Sequence, residues 1–331
     1  MEKAVDALMT DNIFHHFLNI FSLNTVNYKK LGDFENYVFQ ASKDGEELIL
    51  RITHSTHRKL EEILSEVDWM SYLRSDGVKV PKVITSKNGN MVEALEAGDG
   101  SVFYASLFSK AQGKPISVLA PEFNNELYHA WGRAVGKMHS ATKSYFPSPG
   151  IIQRMQWDEE ELLTVEKYIP KEDQLIVKNT KDLMNLLHAL PKDITNNYGL
   201  IHTDIHSGNF FYDGKDIEVF DFDDCCYHWF ASDIAIPLYY SILYKFKEAD
   251  PAEVKIFGKI FLESFLNGYQ QENEIPCDLE RQLPLFLRLR DITLYSVLHK
   301  KIAPEDRNPQ LLVMMKSIKD RIEENSPIYL S

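Results

Sequence analysis

Residues 200–224, LIHTDIHSGNFFYDGKDIEVFDFDD, combine two histidines and six aspartates with strand-like and turn-like sequence. Such carboxylates and imidazoles can hold a metal ion, support phosphoryl transfer or form a charged surface hairpin. Near the end, Asp221 and Asp223 alternate with Phe220 and Phe222, giving one aromatic and one doubly acidic strand face. Two close carboxylates on one face repel each other unless a cation compensates them. The pattern therefore disfavours a purely structural ribbon.

Zinc is one cation that this segment offers ligands for. His202, Asp204 and His206 recur at every second residue, and a pair of cysteines follows at 225–226. Known zinc signatures use paired Cys-x-x-Cys motifs or a helical HExxH spacing, and this segment has neither. A zinc site built from alternate residues of a strand stays open as an alternative.

The same segment has the spacing of a phosphoryl-transfer site. Kinases place an aspartate two residues after a histidine, an asparagine five residues later, and a metal-binding aspartate after the next hairpin. Here His202 precedes Asp204, Asn209 follows at that spacing, and a hairpin turned by Asp213-Gly214 leads to Asp221. In this chemistry a carboxylate orients the acceptor hydroxyl, and oxygen ligands hold Mg²⁺ on the nucleotide phosphates. The spaced set favours phosphoryl transfer over zinc binding.

The residues before this segment predict a small, mainly antiparallel sheet with one helix, in the order β-β-α-β-β-β over residues 25–108. A turn at Lys43-Asp44-Gly45 joins the first two strands, and Asn88-Gly89 predicts a hairpin of its two flanking strands. The expected strands are 35–42, 46–53, 82–85, 91–95 and 101–108, and apolar spacing predicts a helix at 56–75.

The later residues predict a larger, mostly helical part, and an amphipathic helix is expected near the start, in IFHHFLNIF. The expected later helices are 121–143, 172–190, 231–247, 252–271, 278–300 and 308–324, with one short hairpin of 210–212 and 217–220 among them. We therefore predict an α+β fold with an N-terminal lobe at 1–108, a hinge at 109–116 and a helical C-terminal lobe at 117–331. The space between two such lobes is a natural ligand site.

Several motifs resemble those of the aminoglycoside phosphotransferase and choline-kinase-like family, a branch of the protein-kinase-like fold. HTDIHSGNFF…VFDFDD is similar to the family's H-G-D-x-x-x-x-N and I-D-F/W motifs, and WFASDIAI resembles its W-x-x-D-[IL]-A segment. WGRAVGKMHS, at 131–140, resembles the family's L-G-x-x-L-A-x-L-H helix. The resemblance covers residues 27–240 and implies a two-lobed fold, with a small antiparallel-sheet N-lobe and a larger helical C-lobe.

The resemblance also implies a role for the acids of these motifs. It makes Asp204 the catalytic carboxylate that faces the acceptor hydroxyl, and it makes Asn209 and Asp221 the Mg²⁺ ligands. Asp223 replaces the glycine of the kinase motif and is expected either to bind a second metal ion or to support the other ligands. Asp233 is expected to buttress the loops of the helical lobe.

The nucleotide-binding residues depart from the family's usual pattern. LGDFENYVF stands at the position of the phosphate-binding loop, with one glycine, Gly32, where protein kinases have three. Arg51 replaces the phosphate-binding lysine that the resemblance implies, and a guanidinium can hold phosphate oxygens in a bidentate manner. Glu66 on the amphipathic helix is its expected ion-pair partner. The backbone of Ser109 and Ala111 in the hinge is expected to meet the adenine of ATP.

Composition restricts the partners and the location of the protein. The 331 residues carry a formal net charge of −13, which argues against a nucleic-acid partner and favours a cationic acceptor. The three cysteines form no disulfide framework and fit a reducing compartment, and no apolar run is long enough to cross a membrane. We therefore expect a cytoplasmic protein without a membrane partner, and nothing in the sequence indicates its oligomeric state.

These observations predict an ATP- and Mg²⁺-dependent phosphotransferase. Its expected acceptor is a hydroxyl of a small metabolite or antibiotic, of the aminoglycoside, choline or homoserine type. One alternative is a bacterial Ser/Thr protein kinase of the same fold, although no recognisable activation-loop phosphosite with its Ala-Pro-Glu follows the Asp221 hairpin. Another is a catalytically weak nucleotide-binding scaffold protein, for which Arg51 is the sole support.

Overall fold

The computed structural model describes residues 3–246 and 250–330. Their contacts divide the chain into two compact units. Unit 1 contains the residues up to Gln112 together with the segments Tyr145–Arg154 and Glu218–Asp223. Unit 2 contains Gly113–Ser144, Met155–Ile217 and the residues from Asp224 onward. Each unit is therefore assembled from three separate stretches of the chain.

Unit 1 is built on an antiparallel sheet. Its strands are β1 (Tyr28–Gly32), β2 (Tyr37–Lys43), β3 (Glu46–His54), β4 (Val83–Ile84), β5 (Val92–Glu96) and β6 (Val102–Ser109). They lie in the order β1-β2-β3-β6-β4, and β5 also pairs with β6. Its helices are α1 (Lys3–Leu8), α2 (Asp11–Ile20) and α3 (Leu60–Ser75). The expected antiparallel sheet with a following helix is confirmed.

The two faces of β3 have different roles. Leu50 and Ile52 point into a core that α2 covers with its apolar residues, among them Phe17. Because successive side chains of a strand point to opposite faces, Arg51 lies on the other face of the sheet. The amphipathic helix predicted near the start of the chain, α2, thus covers one face of the sheet, and Arg51 lies on the opposite face.

One predicted pairing is wrong. The Asn88-Gly89 turn is present, with Gly89 at φ +83, but within the described residues β4 and β5 each pair with β6 and not with each other. The buried carboxylate of Glu93 accepts hydrogen bonds from the side-chain amides of Asn88 and Asn90, at 3.2 and 3.3 Å. The turn therefore folds around a buried acid, and its two flanking strands lie one after the other along the same edge of β6.

Strand β1 was not among the predicted strands. All five of its residues are exposed, so it lacks the alternation of apolar and polar residues that identifies a half-buried strand. Pairing with β2 holds it in the sheet, with an irregularity between Lys30 and Gly32. The strand leads into the turn that precedes β2, which is the position expected for the phosphate-binding loop.

Unit 2 contains the predicted helices of the later chain. They are α4 (Asn125–Thr142), α5 (Gln174–His188), α6 (Phe230–Lys245), α7 (Pro251–Tyr269), α8 (Leu279–Lys301) and α9 (Pro309–Glu324). The expected end of the third of these helices, at residue 247, lies outside the described residues. No helix in the described part of the chain has the length and apolar character needed to cross a bilayer.

Four short strands accompany these helices. β7 (Tyr198–Ile201) pairs with β10 (Cys226–Trp229), and β8 (Phe210–Tyr212) pairs with β9 (Ile217–Val219). The β8–β9 hairpin was predicted from its Asp-Gly turn. The β7–β10 ladder was not, because its strands are separated by more than twenty residues and no local turn signal joins them.

Helices α4 and α7 approach each other through glycine. A Cβ atom at Gly132 would overlap the backbone carbonyl of Phe265, and one at Gly268 would overlap the backbone carbonyl of His129. Glycine is therefore required at both positions by a close backbone approach rather than by a turn. This contact joins the first half of α4 to the second half of α7.

Candidate active site

The loop that carries Asp204 has fixed ends. Strand β7 ends at Ile201, which pairs with Cys226 of β10, and β8 begins at Phe210. Ile201 and Phe210 are fully buried. Residues 202–209 therefore span a short distance between two anchored strand ends, and the fold sets the position of their side chains.

Thr203, immediately before Asp204, has a strained backbone. Its φ is +66, a left-handed conformation that β-branched residues rarely adopt. Its N–H donates to Asp233 Oδ1 at 2.8 Å, and its hydroxyl donates to the carbonyl of Asp224 at 2.7 Å. The N–H of His202 donates to the other carboxylate oxygen of Asp233 at 2.9 Å. Asp233 thus makes the buttressing contact expected of it and fixes the direction in which the chain enters Asp204.

Asp233 is itself held by a buried polar chain from α4 and α7. Its Oδ2 lies 3.4 Å from Nε2 of His139, and Nδ1 of His139 lies 2.9 Å from the hydroxyl of Tyr269. Burial alone would raise the pKa of Asp233, but the hydrogen bonds it accepts outweigh burial and lower that pKa. Burial lowers the pKa of His139. Asp233 is therefore an ionised acceptor in the interior of unit 2.

Both carboxylate oxygens of Asp204 are contacted. Asn209 Nδ2 donates to Asp204 Oδ2 at 3.1 Å and to the Asp204 carbonyl at 2.9 Å, and Nε2 of His206 lies 3.4 Å from the same Oδ2. Arg290, on α8, forms an ion pair with Oδ1. The Asp204 side chain is 21% exposed, so it remains open to an acceptor molecule. The structure therefore brings the predicted Asp204 and Asn209 together and adds Arg290.

The charge state of Asp204 follows from these contacts. Burial raises the pKa of its carboxyl, but the positive charge of Arg290 and the contact with His206 outweigh burial and lower the pKa to about 2. The group is ionised at neutral pH. A carboxylate with so low a pKa is a poor proton acceptor, so this geometry suits orientation of a hydroxyl better than removal of its proton.

Arg290 is a residue that sequence reasoning missed. Its Nε and Nη2 donate to the hydroxyl of Tyr240, at 3.0 and 2.6 Å, and its guanidinium carbon lies 4.8 Å from the Tyr240 ring centroid. Tyr240 in turn stacks on Tyr244, which is 44% exposed. Helix α8 carries Arg288 close by, and no local pattern distinguishes the arginine that meets Asp204 from the one that does not.

The predicted nucleotide-binding pair lies in unit 1. Arg51 Nη1 and Nη2 donate to the two carboxylate oxygens of Glu66, at 2.7 and 2.5 Å. Burial alone would lower the pKa of Arg51, but the charges of Glu66 and then of Asp223 and Asp221 raise it. The Arg51 Nε is buried and has no hydrogen-bond acceptor among the described residues. An unfilled donor on a permanently charged group fits an oxygen-rich anion such as a phosphate.

Asp221 follows β9 in a left-handed backbone conformation, with φ +66. An aspartate tolerates this conformation better than most side chains do. The next residue, Phe222, is fully buried and packs edge-on against Trp69 at a centroid distance of 5.4 Å. The buried phenyl ring anchors the segment and leaves Asp221 exposed.

Asp223 is enclosed by polar groups of unit 1. Its Oδ2 lies 2.6 Å from Nε2 of His57 and accepts from Asn36 Nδ2 at 3.3 Å, and its Oδ1 lies 3.4 Å from Nε of Arg58. Its carbonyl accepts from Arg154 Nη2 at 2.6 Å. Asn36 lies in the turn before β2, so this cluster ties the expected phosphate-binding loop to the segment that carries Asp221.

Groups of opposite charge meet in the Asp223 cluster. Burial raises the pKa of Asp223, but Arg58 and His57 outweigh burial and lower it well below its usual range. Burial lowers the pKa of His57, and Asp223 raises it above its ordinary value overall. Potential ligand atoms of Glu35, His57 and Asp223 lie within 4.8 Å of one another. Since Arg58 already supplies a positive charge, the arrangement fits an ion pair better than a metal site.

The other predicted nucleotide contacts of unit 1 are Gly32, Ser109 and Ala111, and they differ in which backbone groups are available to a nucleotide. A Cβ at Gly32 would meet no atom within 4 Å, so the protein itself does not require glycine there. The N–H of Ser109 already donates to the carbonyl of Lys82 at 2.9 Å. Ala111 makes no hydrogen bond within the described residues, so its backbone groups remain available.

Each unit contributes hard oxygen donors from the acidic segment. In unit 2, the two bonds from Asn209 Nδ2 fix its amide orientation and leave Oδ1 as an oxygen donor. In unit 1, Asp221 has an exposed carboxylate. Oxygen donors of this kind suit Mg²⁺ or Ca²⁺. In the described part of the chain, no group of three potential metal ligands includes His202 or His206, so the zinc alternative gains no support.

Comparisons with known proteins agree with this chemistry. The sequence profile of the "Phosphotransferase enzyme family" matches residues 29–274. Amicoumacin kinase of Bacillus subtilis (strain 168) is 37% identical over 308 residues, which cover 93% of this chain and 90% of that protein.

Solved structures show the same relationship. A complex of the amicoumacin kinase hAmiN with AMP-PNP, Ca²⁺ and Ami superposes with a TM-score of 0.91 and 34% identity, covering 99% of this chain and 97% of that one. A microcompartment-associated aminopropanol kinase superposes at 0.75 with 21% identity, covering 97% of this chain and all of the other. Spectinomycin phosphotransferase APH(9)-Ia superposes at 0.58 with 12% identity, covering 95% and 96%. These neighbours confirm the predicted α+β, protein-kinase-like fold.

Proposed function

Because the chain belongs to the phosphotransferase enzyme family, we propose that it transfers the γ-phosphoryl group of ATP to a hydroxyl of amicoumacin or a closely similar antibiotic. The observation that carries this choice of acceptor is the relationship to amicoumacin kinases, at 37% identity in sequence and a TM-score of 0.91 in structure. The paired Asp204 and Asn209 support an active catalyst rather than a scaffold.

Asp204 is the proposed catalytic carboxylate. In the transfer, the acceptor oxygen forms a bond to the γ-phosphorus while the bond from that phosphorus to the bridging oxygen of ADP breaks, and the hydroxyl proton passes to solvent water. In a loose transition state the main requirement is alignment of the acceptor oxygen with this phosphorus. Asp204, ionised and fixed on both oxygens, accepts a hydrogen bond from the hydroxyl and so sets its direction.

The proposed metal ligands are Asn209 and Asp221, with Mg²⁺ as the ion. Both residues offer hard oxygen atoms, and a related kinase was solved with AMP-PNP and Ca²⁺. When bound, the ion neutralises charge that develops on the phosphate oxygens. Of the two roles that the sequence left open for Asp223, its enclosure by His57, Asn36 and Arg58 supports the second, in which it holds other groups in place.

The proposed nucleotide contacts come from unit 1. Arg51, oriented by Glu66, offers its buried Nε–H to phosphate oxygens. Ala111 offers unpaired backbone groups to the adenine, while Ser109 retains only its carbonyl because its N–H is used by Lys82. Gly32, the last residue of β1, is the proposed phosphate contact of the loop before β2, and the space around its Cα is open. We keep ATP as the nucleotide, since an adenine nucleotide analogue is bound in the related structure.

The net charge of −13 supports a cationic acceptor. Use of ATP supports action in the cytoplasm, as do three cysteines that form no disulfide, of which Cys225 and Cys226 are buried and Cys277 is exposed. No observation on the chain favours one oligomeric state.

The test is a phosphorylation assay with purified protein, ATP, Mg²⁺ and amicoumacin, read by mass spectrometry of the antibiotic. We expect a product heavier by one phosphoryl group and one equivalent of ADP. Amino alcohols, aminoglycosides, homoserine and a generic protein substrate serve as competing acceptors in parallel. Transfer to the protein substrate alone would support the protein-kinase alternative, and ATP binding without transfer to any acceptor would support the scaffold.

The matched variants are Asp204→Asn and Asp213→Asn. The first should lower turnover by about 10²-fold or more while ATP still binds. The second removes a charge from the turn of the β8–β9 hairpin, where Asp213 Oδ1 accepts from two backbone N–H groups, and should leave turnover nearly unchanged. Equal activity of both variants would remove Asp204 from the catalytic role.

A further inference from the structure

The contact between Arg290 and Asp204 joins α8 to the catalytic loop and belongs to none of the motifs described above. We propose that Arg290 is a positioning residue for phosphoryl transfer, which sets the orientation of the Asp204 carboxylate and is itself held by Tyr240. The proposal rests on the proposed function of Asp204. It makes a helix far along the chain part of the machinery that aligns the acceptor.

An aspartate carboxylate needs external contacts to be oriented. Its terminal torsion is broad and roughly two-fold, so the backbone alone does not fix the carboxylate plane. Asn209 holds Oδ2 at 3.1 Å, and Arg290 holds Oδ1. A contact on each oxygen fixes the orientation of the plane. Without Arg290, the remaining contacts, from Asn209 and His206, both fall on Oδ2, and Oδ1 loses the contact that fixes it.

The guanidinium of Arg290 is pre-organised by Tyr240. Tyr240 accepts from Nε at 3.0 Å and from Nη2 at 2.6 Å, and its ring lies under the guanidinium carbon at 4.8 Å. The side chain is 20% exposed. The planar guanidinium is held by two of its donors and by one of its faces. It therefore loses little further conformational freedom when it pairs with a carboxylate. Lysine, with one rotatable ammonium group, cannot make this set of contacts.

The orientation of the Asp204 carboxylate affects the reaction through the acceptor. A hydroxyl that donates a hydrogen bond to Asp204 is aligned by the lone pairs of the oxygen that accepts it. A small misorientation of a reacting group can lower the rate by about 10²-fold, because the reacting atoms leave their line of approach. Loss of Arg290 is therefore expected to lower kcat and to leave the KM for ATP unchanged.

The variants that test this are Arg290→Ala, Arg290→Lys and the control Arg288→Ala. Arg288 lies two residues earlier on the same helix, carries the same charge and contacts Asn325. With amicoumacin as acceptor, Arg290→Ala should lower kcat by about 10- to 10²-fold, Arg290→Lys should recover little of it, and Arg288→Ala should leave it unchanged. Guanidinium ion at low millimolar concentration should partly restore Arg290→Ala and have no effect on Arg288→Ala. Unchanged kcat in Arg290→Ala, or equal loss in Arg288→Ala, overturns the proposal.

A double-mutant cycle isolates the coupling between the two residues. If Arg290 acts through Asp204, Arg290→Ala should have almost no further effect in the Asp204→Asn background. Fully additive losses would refute the proposal. If Arg290→Ala does not fold, Tyr240→Phe replaces it: the ring remains, the acceptor of two hydrogen bonds is lost, and a smaller decrease of kcat is expected, whereas an unchanged kcat contradicts the proposal.

Failure of the proposed function is distinguishable from failure of this inference. If wild-type protein does not phosphorylate amicoumacin, the assignment of the acceptor is wrong. The same variants are then compared in the slow hydrolysis of ATP, in which water replaces the acceptor hydroxyl. The same order of rates supports the role of Arg290, and rates that do not depend on Arg290 refute it.

Discussion

Arg51 and Glu66 form a buried bidentate ion pair, with both terminal nitrogens of the arginine donating to the two oxygens of the acid at 2.7 and 2.5 Å. The two residues are 6% and 1% exposed. The pair links strand β3 to helix α3. The link between β3 and α3 therefore depends on both residues. Arginine makes this ion pair at the position where the family usually has lysine.

Removing one partner of this pair should be strongly destabilising. Arg51→Met leaves the Glu66 carboxylate buried and unpaired, and such a change costs about 3–5 kcal/mol of unfolding free energy. The double variant Arg51→Met/Glu66→Met should recover most of this loss, since it removes both charges. Denaturant unfolding measures both effects. The control is Lys178→Met, which breaks an exposed pair with Asp182 and should cost no more than about 0.5 kcal/mol. A loss in Arg51→Met no larger than that of the control would contradict the expectation.

Asp221→Asn should raise the Mg²⁺ concentration needed for half-maximal rate. We expect a shift of at least about tenfold, because even residues that only support metal ligands change affinity by 10- to 100-fold. Asp44→Asn is a matched control: Asp44 is a second aspartate with a left-handed backbone, φ +52, in a turn between β2 and β3. Asparagine tolerates that conformation in both variants. A metal titration that Asp221→Asn leaves unchanged would exclude Asp221 as a ligand.

Asp223→Asn separates the two roles that the sequence left open for Asp223. If Asp223 holds His57 and Asn36, the variant should raise the KM for ATP and lower stability by about 1–3 kcal/mol, because Arg58 loses its charged partner. The Mg²⁺ requirement should stay near that of the wild type. His57→Gln should raise the KM for ATP in the same direction. A shift of the Mg²⁺ requirement as large as that of Asp221→Asn would instead make Asp223 a metal ligand.

His228 should make the protein less stable in acid. Burial lowers its pKa to about 3, whereas in the unfolded chain a histidine titrates near about 6.5. Between these values the unfolded state binds a proton that the folded state does not, so stability falls as pH decreases. The slope from this residue is at most about 1.4 kcal/mol per pH unit.

The variant that tests this is His228→Gln. In the wild type, His228 Nδ1 accepts a hydrogen bond from the backbone N–H of Trp229 at 2.9 Å, and the glutamine oxygen is a replacement acceptor. Unfolding free energy measured from pH 7 to pH 4 should depend less on pH in this variant than in the wild type. The exposed His16→Gln serves as the control for loss of a histidine. Parallel pH profiles of the wild type and His228→Gln would show that His228 is not the source of the slope.

Predictability from the sequence followed the distance between residues along the chain. Asp204 and Asn209 are five residues apart, and this spacing predicted that they lie in one loop. Glu66 was the expected partner of Arg51 because it lies on the amphipathic helix that follows the strand of Arg51, and it is the acid that pairs with Arg51. Arg290 lies 86 residues beyond Asp204, and no periodicity links two positions so far apart.

The Asp223 cluster shows the same limit from another side. Its doubly acidic strand face predicted that a cation would be needed, and the structure supplies His57 and Arg58 from the segment between β3 and α3. The requirement for a cation could be predicted because like charges repel. The residues that supply it could not, because a pattern of alternating residues does not indicate where in the chain the partner lies.

The chain of His139, Asp233 and Tyr269 has a consequence for attempts to redesign the acceptor range. These residues come from α4, α6 and α7 and are hydrogen-bonded to one another in the interior. Replacing any one of them leaves buried polar atoms of its neighbours without a hydrogen-bond partner. A library that randomises α7 would lose most members to misfolding wherever it touches Tyr269. Diversity is better placed at Tyr244, which is 44% exposed and lies outside this buried chain, although its stacking on Tyr240 means that each new side chain must also be checked for its effect on Arg290.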